Sequence, residues 1–81
     1  MARVVFIGEV RQYTGDDDAI ETDAANVMQL FKILGQRYPR LAPVLESGFA
    51  VAIDGQLMED SLLQPIIDAK EIVLVPKIEG G

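Results

Sequence analysis

The C-terminal part of the sequence contains the segment EIVLV at residues 71–75, which is apolar after its first residue and decides the fold that the chain can adopt. β-Branched residues favour extended backbone, and apolar side chains at both odd and even positions indicate a strand buried on both faces. Residues 3–10 have the same character before Glu9, so we expect a second buried strand there. These two strands are therefore expected to lie side by side at the centre of one sheet.

One clear helix is predicted between them. Asn26 can cap its first turn, and Gln29 follows three positions later in an arrangement that resembles a capping box. Pro39 ends the helix near Arg37, because the residue before a proline is pushed out of the helical region. Apolar residues recur at positions that share one helical face, namely Val27, Leu30, Phe31, Leu34 and Tyr38. We expect this face to pack in the core.

Three shorter strands are predicted from turn signals. Residues 13–18 have the composition of an exposed turn, and residues 19–22 can form a strand that closes a hairpin with the first strand. Residues 49–53 alternate large and small apolar side chains, and the Asp-Gly pair at 54–55 is a strong hairpin signal. Residues 56–58 are therefore the predicted return strand.

Prolines mark the irregular segments and the end of the domain. We expect a loose turn or short helix at residues 41–46, and a turn of helix followed by a loop at 61–67. Pro76 has no N–H to donate to a ladder, so it is expected to stop the last strand. A right-handed crossover places the helix on one face of a mixed sheet, which is an α+β fold. The predicted domain spans residues 1–76, with a flexible tail at 77–81.

Composition excludes several classes of function. The chain has 81 residues, 49% of them hydrophobic and 25% charged, which is typical of one small domain. Thirteen acidic against seven basic residues give a formal net charge of −6, which disfavours nucleic acid as a ligand. The absence of Cys and His removes thiolate catalysis and the usual general base. Apolar runs are too short for export or membrane insertion, so we expect a cytoplasmic protein with no membrane partner.

Motifs for metal or phosphate binding are weak. The acidic run at residues 16–18 would need Gly at the sixth position and Glu at the twelfth to be an EF-hand, but Glu21 and Val27 stand there. Isolated glycines do not form a phosphate-binding loop. We therefore predict no metal site and no bound cofactor.

The pair Gly80-Gly81 closes the chain. Residues without Cβ can enter a narrow channel and adopt backbone angles that are forbidden to others, so they can carry the terminal carboxylate to another protein. A frayed terminus or an expression scar can end the same way, and the pair alone does not separate these alternatives.

The whole chain resembles the small subunit of molybdopterin synthase, within the ubiquitin-like β-grasp sulfur carriers that also include the thiamine sulfur carrier. Four segments carry the resemblance: VVFIGEVRQYTG at 4–15, NVMQL at 26–30, VAIDGQL at 51–57 and EIVLVPKIEGG at 71–81. The resemblance implies a β-grasp fold, and a subunit that carries sulfur without catalytic side chains of its own.

It also implies the chemistry of the tail. A separate ATP-dependent activating enzyme adenylates the carboxylate of Gly81, and a sulfur donor converts it into a thiocarboxylate. The tail then enters the synthase large subunit, and its sulfur builds the dithiolene of molybdopterin. ATP is bound by the activating enzyme and not by this chain. The residues expected to contact these partners are Pro76, Lys77, Ile78, Glu79 and Gly80.

Three alternatives remain open from the sequence. The carrier could supply sulfur to thiamine or another small product. Gly81 could instead form an isopeptide bond with a lysine, as in a ubiquitin-like modifier. A β-grasp binding module whose tail has no chemistry is the third.

Overall fold

A computed structural model of the chain describes residues 1–58 and 62–77. The described residues form five strands: β1 (Ala2–Phe6), β2 (Ala19–Thr22), β3 (Phe49–Ile53), β4 (Gln56–Met58) and β5 (Glu71–Pro76). The helices are α1 (Arg11–Thr14), α2 (Val27–Arg37) and α3 (Leu45–Gly48), with 3-10 turns at Gly8–Val10 and Ala42–Val44. None of the helices in these described ranges is long and apolar enough to cross a membrane.

The strands form one sheet in the order β2-β1-β5-β3-β4. β1 and β5 are parallel neighbours, and every other neighbouring pair is antiparallel. The predicted central pair and the predicted α+β class with a mixed sheet are therefore confirmed. A crossover through α2 connects the two halves of the sheet, and it places this helix against one face.

The core lies between that face and α2. The side chains of Leu30 and Leu34 are completely buried, as are those of Val4, Ile72 and Leu74 from the two central strands. Complete burial of such a side chain contributes roughly 1.5–3 kcal/mol relative to leaving it in water. All five residues on the predicted apolar face of the helix are buried: Val27, Leu30, Phe31, Leu34 and Tyr38.

The hydrogen bonds at the start of α2 are close to those that the sequence predicts. Asn26 Oδ1 accepts the N–H of Gln29 at 2.8 Å, so the predicted cap is confirmed. In a standard capping box the side chain of Gln29 would accept the N–H of the capping residue itself. Here its Oε1 accepts the N–H of Ala25, one residue earlier, at 2.6 Å. The helix ends at Arg37, before Pro39, as expected.

The first predicted strand is wrong at its end. β1 stops at Phe6, and the chain turns at Gly8, whose φ is +60°, a left-handed angle that favours glycine. The following residues form the 3-10 turn and α1, where Val10 and Thr14 are buried. A short apolar run does not distinguish a buried helical turn from a strand, so residues 8–10 matched both. Thr14 is the last residue of α1 and is buried, so the prediction of an exposed turn over residues 13–18 is wrong at its start.

The other short elements are mostly as predicted. Asp54 and Gly55 have φ of 49° and 90°, the left-handed angles of a two-residue hairpin turn. Residues 41–46 contain a 3-10 turn and the start of α3. Residues 62–67 form turns without the predicted helix, and Pro65 makes an isolated bridge with Asn26. Backbone carbonyls of this segment accept N–H groups from the first turn of α2. These carbonyls therefore form tertiary hydrogen bonds instead of bonds within a helix.

β5 ends at Pro76, one residue beyond the predicted last strand residue Val75, so the proline is itself the final residue of the strand. It lies opposite Phe49, and the N–H of Lys77 donates to the carbonyl of Gly48 at 2.8 Å. In an antiparallel ladder this arrangement makes Phe49 and Pro76 a pair that exchanges no hydrogen bond. The missing N–H of proline is therefore not needed at that position, and proline is tolerated as the last residue of the strand.

Candidate functional site

The base of the C-terminal tail lies at the end of the central strand β5. Lys77, the first residue of the predicted tail, is bonded to Gly48 at the end of α3. The predicted reactive residue Gly81, and the predicted contact residues Ile78, Glu79 and Gly80, lie outside the described residues. Their roles, and the boundary of the flexible tail, stay predictions. The described part of the candidate site is thus Pro76 and Lys77 with the surfaces around them.

The other end of β5 is held by Asp54. Its carboxylate accepts the N–H of Lys70 at 3.0 Å and that of Glu71 at 2.9 Å, and its own N–H donates to the carbonyl of Glu71 at 2.9 Å. Hydrogen bonds to a charged acceptor are stronger than neutral ones. The hairpin signal at Asp54-Gly55 predicted the turn, but not this contact with a strand 16 residues later.

An apolar row crosses the sheet on the face opposite α2, which we call the open face. Val5 of β1 lies between Ala19 of β2 and Val73 of β5, and Ala52 of β3 lies between Val73 and Leu57 of β4. Directly paired residues point to the same face, so the five side chains form one continuous row. Leu57 is 54% exposed and the other four are half-buried.

The row borders the tail on one side and charged residues on the other. Val75, two residues beyond Val73, is on the same face and lies opposite Ala50, next to the end of β5. At the opposite end of the strands, Arg3 lies between Glu21 and Glu71. The open face therefore offers apolar surface close to the tail and a charged border away from it, a distribution that is typical of a docking surface.

Sequence analysis did not predict this surface fully. The signal was present, because residues 72–75 are apolar at odd as well as even positions, but it was interpreted as burial on both faces. In the structure, Val73 and Val75 are only half-buried. No element in the described part of the chain packs over these side chains as α2 packs over the other face, and a contiguous apolar patch of this kind is typical of an interaction surface.

A groove of about 800 Å³ lies on the helix side, between α2 and the segment at residues 42–47. Its lining includes Met28, Phe31, Gly35, Ala42, Pro43 and Leu45, with Lys32 at the same groove. A Cβ on Gly35 would come within 3.1 Å of the Cβ of Ala42, so glycine permits the close approach of these two segments. The groove contains no arrangement of acids, bases or nucleophiles that indicates catalysis.

Titratable side chains also cluster at the end of α2. The hydroxyl of Tyr38 donates to Asp17 Oδ2 at 2.6 Å and accepts the Nε–H of Arg37 at 3.2 Å. Burial of the ring raises the pKa of Tyr38 above its usual range, and the bond to Asp17 raises it further. The bond to Tyr38 also raises the pKa of Arg37. This cluster ties the turn before β2 to the helix.

Two of the three residues in the acidic run at 16–18 are engaged in side-chain pairs. Asp17 binds Tyr38, and Asp18 forms an ion pair with Arg11 on the surface. In residues 1–58 and 62–77, no group of three or more potential ligands could hold a metal ion. A metal centre therefore has no support in the described part of the chain.

Comparison with known proteins identifies a family and a fold. The model of the ThiS family matches residues 4–81, which include the terminal Gly80-Gly81 pair. The structure is similar to the crystal structure of SAMP1 from Haloferax volcanii, with a TM-score of 0.72 and 16% sequence identity over 99% of this chain and 98% of that one. No curated protein matches the sequence. The similarity in structure confirms the expected ubiquitin-like β-grasp fold.

Proposed function

The chain belongs to the ThiS family, a group of sulfur carriers with a ubiquitin-like fold, and we propose that its Gly81 carries sulfur for molybdopterin synthesis. The observation that carries this proposal is the family match through residue 81, on a tail that continues the central strand of the sheet. The strand is paired on both sides and supplies a rigid base for the tail.

Two steps load the sulfur. A carboxylate oxygen of Gly81 attacks the α-phosphorus of ATP on the activating enzyme, pyrophosphate leaves, and an acyl adenylate forms. A donor sulfur at the oxidation level of hydrosulfide then attacks the carbonyl carbon, and AMP leaves with the electron pair of the broken C–O bond. The product is a thiocarboxylate. Activation is required because a free carboxylate is a poor electrophile until one of its oxygens becomes a good leaving group.

The partners supply all of the catalytic side chains in this scheme. The sequence has no His or Cys. Asp17 and Asp54 are engaged in hydrogen bonds, with Tyr38 and with the N–H of Lys70. The contribution of this chain is to present a terminal carboxylate on a narrow tail. The activating enzyme, the sulfur donor and the synthase large subunit are its proposed partners.

The open face is the proposed docking surface for the two larger partners. Its apolar row ends beside Val75, so a protein that covers the row also lies next to the start of the tail. Tail residues alone would bind weakly, because ordering a short flexible segment offsets most of its contacts. Because both partners need the same tail, they bind one after the other and can use the same surface.

Molybdopterin is proposed over thiamine on the four segments that resemble the molybdopterin synthase small subunit. A direct assay uses thiocarboxylated protein, the synthase large subunit and the cyclic pyranopterin precursor. Formation of the dithiolene product supports the assignment, and transfer only to a thiazole precursor would contradict it. Mass spectrometry of protein from the native host tests the class: replacement of one oxygen by sulfur marks a carrier, whereas branched peptides ending in Gly81 mark a modifier.

Variants of the terminus test the role of Gly81. Adding one alanine after Gly81 replaces the acid by an amide, and deleting Gly81 withdraws the acid by about 3.3–3.6 Å. We expect ATP–pyrophosphate exchange with the activating enzyme to fall to background for both variants. The matched control adds one alanine before Met1, which is 79% exposed, and should retain full exchange. Normal adenylation of the extended or shortened chain would contradict the proposal.

A further inference from the structure

The base of the tail is held by more than its backbone pairing. Pro76 lies opposite Phe49 in a pair that exchanges no hydrogen bond, and such pairs bring side chains especially close, with Cβ atoms roughly 4.5–5.5 Å apart. Phe49 itself is only 6% exposed, although it stands at the first position of β3. Other side chains must therefore cover the ring of Phe49 at the end of the sheet.

Tyr13 packs against the Phe49 ring together with the core side chains around it. Its ring meets the ring of Phe49 edge to face, with centroids 6.4 Å apart and an interplanar angle of 87°. Aromatic pairs in this geometry contribute beyond the area that they bury. Tyr13 belongs to α1, which reaches the end of the sheet because the chain turns at Gly8 instead of continuing as a strand. The N-terminal segment thus supports the strand from which the tail departs.

These contacts hold the last residues of the chain that the structure describes. Lys77 is the last residue bonded to the described fold, through its N–H to Gly48. Four residues, 78–81, then carry the terminal carboxylate, and they can span at most about 13–14 Å when extended. If Pro76 and Lys77 were released from the sheet, these two residues would have to be ordered again whenever a partner binds.

We propose that Tyr13 and Phe49 are positioning residues that hold Pro76 and Lys77 to the sheet, so that partners meet these two residues already ordered. This inference rests on the proposed function of Gly81. It also bounds the partners: each active site must lie within about 14 Å of the surface that meets the end of β5. Ordering a released backbone residue costs conformational entropy, so release of these two residues is expected to weaken productive binding.

The variant Tyr13→Ala removes the covering ring while leaving Phe49 and the strand pairing in place. We expect the amide of Lys77 to exchange its hydrogen at least about tenfold faster than in the parent. We also expect KM for the carrier in ATP–pyrophosphate exchange to rise about tenfold, with kcat nearly unchanged, because the carboxylate reacts normally once bound. Tyr13→Phe keeps the ring and should restore both values.

Leu30→Ala controls for loss of stability, because Leu30 is completely buried in α2 and is distant in sequence from the tail base. It should lower the melting temperature without a selective change at Lys77 or in KM. If the Lys77 amide of folded Tyr13→Ala exchanges as slowly as in the parent, or if KM is unchanged, the proposed positioning is wrong.

The two proposals fail in different ways. A parent protein that is never adenylated contradicts the role of Gly81, whereas the exchange rate of the Lys77 amide needs no partner and still tests the support by Tyr13. Phe49→Leu gives a second test within the sheet: it keeps an apolar side chain but removes the ring that faces Tyr13, and it should also release Lys77.

Discussion

The two faces of the central strands differ although the same kinds of residue form them. In β1, Val4 is completely buried against α2, whereas the adjacent Val5 on the open face is half-buried. In β5, Ile72 is completely buried and Val73 is half-buried. The difference shows that apolar composition alone does not identify a core. A face becomes core only when another element of the chain covers it.

The two faces of the sheet therefore have different roles. The helix side supplies the burial that stabilises a domain of only 81 residues, where net stability is on the order of 4–12 kcal/mol. The open face leaves apolar side chains at the surface, next to the tail, where they contribute little to folding. Such side chains are available for binding, and the chain belongs to a family of carriers that work with larger partners.

The largest expected effect comes from a matched pair of truncations in β1. Val4→Ala should lower the free energy of unfolding by about 2–3 kcal/mol, because it leaves a cavity under α2. Val5→Ala on the open face should lower it by about 1 kcal/mol or less, because water can fill the space. Urea denaturation of both variants measures this contrast. Equal losses would mean that the open face is as well packed as the core.

A smaller effect, on binding, is expected at the rim of the apolar row. Leu57→Asp places a charge at a position that is 54% exposed, so the melting temperature should change little. We expect the affinity for the activating enzyme, measured by calorimetry, to fall about tenfold, equivalent to about 1.4 kcal/mol.

Leu63→Asp is the control for Leu57→Asp. Leu63 is 76% exposed, and its neighbours Leu62 and Gln64 accept hydrogen bonds from the first turn of α2, on the other side of the sheet. The affinity of the Leu63→Asp variant for the activating enzyme should equal that of the parent. If both leucine variants bind normally, the open face is not the docking surface.

The smallest expected effect sharpens the description of the helix side, where Tyr38 makes a charged contact. Tyr38→Phe removes the hydrogen bond to Asp17 and should cost about 1 kcal/mol at neutral pH. The pKa of Tyr38 is raised in the folded protein, first by burial, so its stabilisation is fully present below the unfolded pKa of about 10. It is lost as the pH rises through the folded pKa.

The stability of the parent should therefore fall more steeply with pH above about 10 than that of Tyr38→Phe. Thermal denaturation at a series of alkaline pH values measures both slopes. Identical slopes would show that the ionisation of Tyr38 is not linked to folding.

Most of the fold could be predicted because its signals are local. The cap at Asn26, the apolar face of α2 and the turn at Asp54-Gly55 each depend on residues within a few positions of one another. The errors arose where a distant element decided the outcome. Residues 8–10 formed a buried helical turn, and Pro76 stayed in β5 because its position in the ladder needs no N–H.

The candidate site could be predicted from the sequence only in part. The terminal glycines and the resemblance of four segments indicated a carrier, and the family match agrees with them. The apolar row of the open face could not be derived, because its five members come from five strands. Only their register places them side by side.

The sequence by itself determined the secondary structure of most segments, the central pair of strands and the family, since periodicity, capping and turn chemistry act over short distances. The tertiary structure alone decided which face of the sheet is covered, that Asp54 holds the start of β5, and that Tyr13 covers Phe49 at its end. These contacts join residues that are 16 to 36 positions apart. Their geometry depends on how the whole chain packs and leaves no local pattern in the sequence.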